Sequence, residues 1–290
     1  MSRTLRIGIY FICGVFFIVL FSFWMFPYEA LEKRIESVVW KNFHFNLNIK
    51  EMDLSFPFGV KFYEMDITDP EKDYLTIQAQ KGSVHFHPLM IFSNKLGMDL
   101  EMNIFEGVLN SAIAFSPVIK PENIKAKINW DGIQTKRIAL LEKIDHIQKI
   151  QGRISGNATI NYNFGQMSAA NGQGYIKLAN ASFQMNHPSF SSIAIQALEC
   201  ESAWELKRRN LNVRTLKYQA KGMSGSLNGN ILLHKNIPKS RVNINGDLDI
   251  TQAHPQIYSL VRNYMHQNDF EFQIQGSVQY PEWSLKKERP

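Results

Sequence analysis

Apolar and polar residues alternate with a period of two over most of this chain. Phe45, Leu47 and Ile49 are interleaved with Asn46, Asn48 and Lys50, and the phase then shifts so that Met52, Leu54 and Phe56 enclose Asp53 and Ser55. The rule returns at Leu75, Ile77 and Ala79, at Met98 to Ile104, at Ile124 to Trp130 and at Ala158 to Phe164. In the last third it returns at Ile193 to Ala197, Leu211 with Val213, Leu216 with Tyr218, Val242 with Ile244, Leu248 with Ile250, and Phe270 to Ile274. Such alternation marks a strand with one buried and one wet face, because successive side chains leave a pleated backbone on opposite sides. About fifteen such segments are predicted, separated by Gly, Pro, Asn and Asp clusters that suit turns.

Three stretches break the period. Ile7 to Phe26 runs twenty residues without a charge, enough for a helix to cross the roughly 30 Å hydrocarbon core of a bilayer. Ile7, Phe11, Phe16, Leu20, Trp24 and Phe26 are its expected anchor positions. Arg3 and Arg6 precede it, which favours a cytoplasmic N-terminus, and the exit through Trp24 and Tyr28 has interfacial aromatics and no Ala-x-Ala cleavage pattern. A retained anchor is therefore favoured over a cleaved signal. Next, Tyr28 to Asn42 places Leu31, Ile35, Val38 and Val39 on one helical face. Two more amphipathic helices are expected at Lys136 to Ile150, with Thr135 as N-cap, and at Pro255 to Gln267.

The expected organisation is a tail and anchor over 1–27, a juxtamembrane helix over 28–42, and a β-domain over 43–290 with a candidate boundary near 150–170. Internal echoes support a repeated design. Ile128, Asn129, Asp131 and Thr135 match Ile244, Asn245, Asp247 and Thr251 in spacing, and Gly152, Ile154, Gly156 and Asn157 match Gly225, Leu227, Gly229 and Asn230. Glycine within a strand permits a bend or bulge, so Gly152, Gly156, Gly225 and Gly229 suggest a sheet that curves repeatedly the same way. The expected fold class is mainly β: a transmembrane helix, then a long, curved, mostly antiparallel sheet of repeated units with about two amphipathic helices.

Composition narrows function by exclusion. With 44% hydrophobic and 20% charged residues the chain is ordinary for a folded protein. Its net charge of +6 falls to +4 once Arg3 and Arg6 are assigned to the membrane flank. No basic stripe with interleaved aromatics points to nucleic acid. The two cysteines, Cys13 and Cys200, fall on opposite sides of the predicted anchor boundary, leaving the exported part with neither an internal disulfide nor a cysteine zinc site. No phosphate-binding loop, dinucleotide fingerprint or His-Glu-x-x-His is present. Gly222-Met223-Ser224 begins like a nucleophile elbow, but Ser226 replaces the second glycine. His85 and His87 share one strand face, as a metal pair would, yet a third ligand such as His44 or Glu64 cannot be placed from sequence, and a wet-face position is favoured. No catalytic residue, cofactor or metal site is expected. Trp130, Trp204 and Trp283 are expected in a core or lining an apolar face.

Several short motifs stand in a familiar order: Phe26-Pro27-Tyr28-Glu29-Ala30-Leu31, Ser55-Phe56-Pro57-Phe58-Gly59-Val60-Lys61-Phe62, the strand ending at Pro88, Gly152-Arg153-Ile154-Ser155-Gly156-Asn157, and Gly276 to Pro281-Glu282-Trp283. With the N-terminal anchor they resemble type II secretion system protein N over essentially the whole chain. More distantly, the pattern is similar to AsmA- and TamB-type envelope proteins. The first resemblance implies a non-enzymatic inner-membrane accessory of the secretion machine, single-pass, with a periplasmic C-terminal domain and other secretion components as partners. The second implies an apolar groove that handles phospholipid between the two membranes. Neither implies catalytic residues.

Overall fold

The computed structural model describes residues 14, 17, 28–55, 58–70, 72–118, 122–138, 147–163, 170–187, 190–234, 239–250 and 269–285. The first regular element is helix α1 (Tyr28–Phe43), which carries Glu29 in its first turn and Lys41 in its last, both favourable to the helix dipole. Fourteen strands follow. They are β1 (Asn46–Ser55), β2 (Gly59–Asp69), β3 (Lys72–His87), β4 (Leu96–Ile104), β5 (Gly107–Ser116), β6 (Asn123–Gln134) and β7 (Ile147–Asn163). The second half comprises β8 (Asn171–His187), β9 (Phe190–Lys207), β10 (Asn210–Ala220), β11 (Met223–Leu232), β12 (Arg241–Asp249), β13 (Asp269–Ser277) and β14 (Pro281–Leu285). The chain is mainly β, and its strands form one antiparallel sheet in strict sequence order. β1 pairs only with β2, and β14 only with β13, so the described sheet does not close on itself.

The meander gives the sheet two rims. α1 leads into β1 at what we term the proximal rim, and the β2–β3, β4–β5 and β10–β11 turns lie there too. The β1–β2, β3–β4, β5–β6 and β13–β14 connections lie at the distal rim. The outermost strands resist pairing with other chains in the usual ways. β14 is five residues long and begins with Pro281, while β1 carries Lys50, Glu51 and Asp53.

Ile49 and Met52, three apart, are both buried although β1 and β2 stay in register through them; between them Glu64 of the partner strand adopts φ 49° and its carboxylate accepts from Lys50 Nζ at 2.8 Å. Elsewhere the register itself shifts, as β-bulges that follow Ala79 in β3, Trp130 in β6, Leu178 in β8 and Val213 in β10. In β6 the extra residue includes Gly132 at φ 67°, a conformation that favours glycine. Each bulge bends its strand and returns the apolar side chains to the same face.

Burial is uneven along the sheet. A core cluster of Ile49, Met52, Phe62, Met65, Ala79, Ile104 and Ile133 lies in β1–β6, with Ile35 of α1 packed against it. In β10 to β12 Leu216, Leu227 and Ile244 are only half-buried, and Leu232 is exposed.

The expected helix over Lys136 to Ile150 is corrected at both ends. Thr135–Arg137 forms a single 3-10 turn without a side-chain cap, and Ile147 to Ile150 already belong to β7. Gln148 pairs in register with Gln184 of the seventeen-residue β8, so a long neighbouring strand captures these residues into the ladder. Thr135, buried, instead donates its hydroxyl to the carbonyl of Gly152 at 3.3 Å. Residues 139–146 and the expected helix from Pro255 to Gln267 lie outside the described residues. Of the predicted anchor only Gly14 and Phe17 are described, both helical. Ile7, Phe11, Phe16, Leu20, Trp24 and Phe26 lie outside, and no helix among the described residues is long and apolar enough to cross a membrane.

Candidate functional site

The antiparallel register aligns the alternating residues into rows that cross the whole sheet. One row runs through Leu54, Val60, Val84, Leu100, Ser111, Ile128 and Ala158. It continues through Gly174, Trp204, Val213, Gly229, Ile244, Ile274 and Trp283, one position from each of the fourteen strands. None of these residues is charged or an amide. The next row, from Met52 and Phe62 through Met102, Trp130, Ile176 and Leu227 to Phe272 and Leu285, obeys the same rule on every strand. At strand spacings of about 4.8 Å, the thirteen steps make an apolar path of about 60 Å.

The opposite face is the reverse. Asp53, Lys61, Ser83, Glu101, Asn110, Asn129 and Asn157 share one row, and Asn212, Asn230, Asn243 and Gln275 share another. Amide ladders tie this wet side, as between Gln273 Nε2 and Asn243 Oδ1 at 3.1 Å.

No second layer of sheet covers the apolar face among the described residues, and the one α-helix of more than a single turn, α1, packs chiefly on β1. Accordingly Ile176 is 37% exposed although it lies in the middle of the sheet. Ser111 supplies a polar atom within the first row. It is 7% exposed, and its Oγ has no hydrogen-bond partner in the structure. A buried unpaired hydroxyl is costly and uncommon in native folds.

Five aromatic residues on this face each pair in register with a glycine on the next strand: Phe62 with Gly82, Trp130 with Gly156, Trp204 with Gly174, Tyr218 with Gly225, and Phe272 with Gly246. A Cβ at any of these glycines would come within 3.0 Å of the partner side chain. The rings therefore lie over the neighbouring backbone instead of standing up from the sheet, an arrangement that fills the gap a strand glycine leaves. Gly174→Ala is expected to lower stability by about 1–3 kcal/mol through this overpacking, seen as a reduced urea midpoint together with altered near-ultraviolet dichroism from Trp204.

The four echoed glycines take two different roles. Gly156 and Gly225 lie beneath rings, whereas Gly152 (φ 147°) and Gly229 (φ 152°) occupy backbone conformations that L side chains rarely adopt. Matching positions in the sequence echo thus exchange roles.

Titratable groups on the apolar face are kept neutral. Burial, followed by the nearby Glu201 charge, raises the Cys200 thiol, which makes it a poor nucleophile. Tyr218 donates to the carbonyl of Asp247 at 2.8 Å, and burial pushes its phenol up to about 12. Because the folded value exceeds an unfolded value near 10, Tyr218 supports folding fully below about pH 10 and loses that support as pH rises through about 12. An ultraviolet phenolate titration should show a late-ionising tyrosine that is missing in Tyr218→Phe.

The histidine pair lies on the wet face. His87 Nε2 is 2.8 Å from Asp99 Oδ2, and Glu64 is engaged by Lys50. Among the described residues no group of three His, Cys, Asp or Glu side chains is placed to hold a metal ion. Trp130 and Trp204, placed by the sequence in a core or lining, are half-buried on the apolar face. Trp283 holds the row position opposite Ile274. Sequence periodicity located the face but not the glycine-ring pairs, whose partners lie up to thirty residues apart.

No protein-family model, no curated protein and no solved structure matches this chain.

Proposed function

We propose that this chain is a non-enzymatic, membrane-anchored carrier that holds lipid acyl chains along the apolar face of its sheet. In this reading Ile7 to Phe26 crosses the inner membrane, and the bulged sheet curves in the periplasm into a groove of repeated units. The observation that carries it is the pair of rows crossing all fourteen strands without a charged or amide side chain and, among the described residues, without a covering layer. Extended apolar surface of this kind marks a ligand or partner site in a folded protein. Its path of about 60 Å is about twice the hydrocarbon thickness of a bilayer, so it has length for several chains in file. The flat-lying rings keep the floor low.

The type II secretion reading, which the sequence puts first, is here the alternative and rests on the order of short sequence motifs. The length and continuity of the apolar face, which no described layer covers, favour the lipid carrier over it. The deciding experiment is native mass spectrometry of the full chain, purified in a mild detergent from its membrane. Retained acyl lipid in stoichiometric amount is the expected result. A lipid-free chain that co-purifies with the secretion platform would overturn the carrier in favour of the accessory component.

A further inference from the structure

The two rims of the sheet show different chemistry to solvent. At the proximal β4–β5 turn Phe105 folds back against the core and leaves Glu106 exposed, and the β10–β11 turn consists of Lys221 and Gly222. The distal turns instead carry apolar tips. Phe58 is exposed between β1 and β2, Leu89 and Phe92 are 77% and 91% exposed between β3 and β4, and Tyr280 is 72% exposed between β13 and β14.

These tips stand on ordered turns. Leu89 and Phe92 belong to a six-residue 3-10 helix, Pro88–Ser93, of which no residue is buried. Its end is tied by Asn94 N–H to Ile91 O at 2.9 Å and Lys95 N–H to Met90 O at 3.1 Å, and Val118 N–H donates to Asn94 Oδ1 at 3.2 Å. Met90 folds down, its sulfur filling the space over Gly97 of β4. At the other end of the rim, Tyr280 N–H donates to Ser277 Oγ at 3.0 Å and Val278 N–H to Ser240 O at 2.9 Å.

Cations lie between the tips. Lys95, Arg208, Arg209, Lys239 and Arg241 are all exposed in or beside the β3–β4, β9–β10 and β11–β12 turns, which share this rim. None has a carboxylate within ion-pair distance among the described residues. Acidic side chains are fewer there: Glu122 and Glu282 are exposed, while Glu205 is taken up by Lys207 and Arg214 at 2.6 and 2.8 Å.

Phe58 and Tyr280 are twelve strand spacings apart, roughly 60 Å along the sheet. A compact protein partner would meet one or two of these turns, whereas a bilayer can meet several at once and is apolar beneath a charged skin. We propose that the distal rim docks on an anionic lipid bilayer, with Leu89, Phe92 and Tyr280 entering between headgroups and Arg208, Arg209 and Lys239 beside the lipid phosphates. Aromatic and aliphatic tips flanked by lysine and arginine suit that interface, where apolar burial and attraction to negative lipid add. Because α1 enters the sheet at the opposite rim, this contact is separate from the predicted anchor. It holds whether or not the apolar rows carry lipid.

The test uses the full chain, held in nonionic amphipol to cover its N-terminal segment and sedimented with vesicles of phosphatidylcholine alone or mixed with phosphatidylglycerol. Binding to the anionic vesicles is expected to be at least about tenfold tighter and to weaken as salt is raised. R208Q/R209Q should weaken it about tenfold while leaving binding to neutral vesicles unchanged. L89S/F92S should weaken binding to both kinds of vesicle at least about tenfold. All four side chains are exposed, so unchanged urea midpoints are expected to show that both variants fold. Wild-type protein that ignores both vesicles overturns the docking, and so does binding that neither L89S/F92S nor R208Q/R209Q weakens. A chain that ignores vesicles but dimerises, and becomes monomeric in L89S/F92S, assigns the rim to a second copy and overturns it equally.

Discussion

Phe62→Ala is expected to cost about 3–5 kcal/mol of folding stability, the range for deleting a fully packed aromatic side chain. Phe62 is 5% exposed and belongs to the cluster of Ile49, Met52, Met65, Ala79, Ile104 and Ile133. Its ring covers Gly82 in the facing strand. Truncation would leave two adjacent positions without side chains, and glycine offers nothing that can move into the gap. The cavity would persist, which is what separates the high end of such costs from the low end. Leu227→Ala is the informative comparison. Leu227 lies in the same row but is half-buried, so its loss should cost only about 1 kcal/mol. Urea midpoints of the two variants against wild type would test the difference. Similar losses would mean that the distant strands are covered as well as the first ones, contrary to an open face.

Ile128→Asp separates an open face from a closed core by its pair of effects. Ile128 stands in the first row between the small residues Ser111 and Ala158 and is half-buried. In an empty open face the new carboxylate keeps contact with water, so the fold should lose no more than about 1–2 kcal/mol. A bound acyl chain would strip that water away. Desolvating an unpaired carboxylate costs several kcal/mol, and each 1.4 kcal/mol is about tenfold in affinity. Retained lipid should therefore fall by at least about thirtyfold while the urea midpoint moves little. Unfolding of the variant would show Ile128 in a sealed core. Unchanged lipid retention would show that chains do not lie on this row.

Both outcomes turn on how the candidate site is encoded. Alternation such as Ile124, Ala126, Ile128 and Trp130 named the strand and its apolar side directly, because the pleat ties side-chain direction to position parity. The phase shift between Ile49 and Met52 was equally legible, and the structure meets it with Glu64 at φ 49° on the facing strand. Helix α1 was legible from its spacing. The strand start at Ile147 was not, since Ile147 and Ile150 fit a helical face as well as a strand, and the choice was made by pairing with β8. The distal rim could not be read at all. Phe58, Phe92, Arg208 and Tyr280 come from separate turns and share one rim only through the order of the strands.

By itself, then, the sequence determined which residues face which side, because that depends on neighbours one or two positions away. Only the tertiary structure decided that these sides line up without interruption across fourteen strands. It also decided that Trp204 lies over Gly174 while Tyr218 lies over Gly225, and that β1 and β14 do not pair with each other among the described residues. Those outcomes depend on the register of hydrogen bonds between distant segments. A one-residue slip would turn every side chain to the opposite face without changing a single local preference.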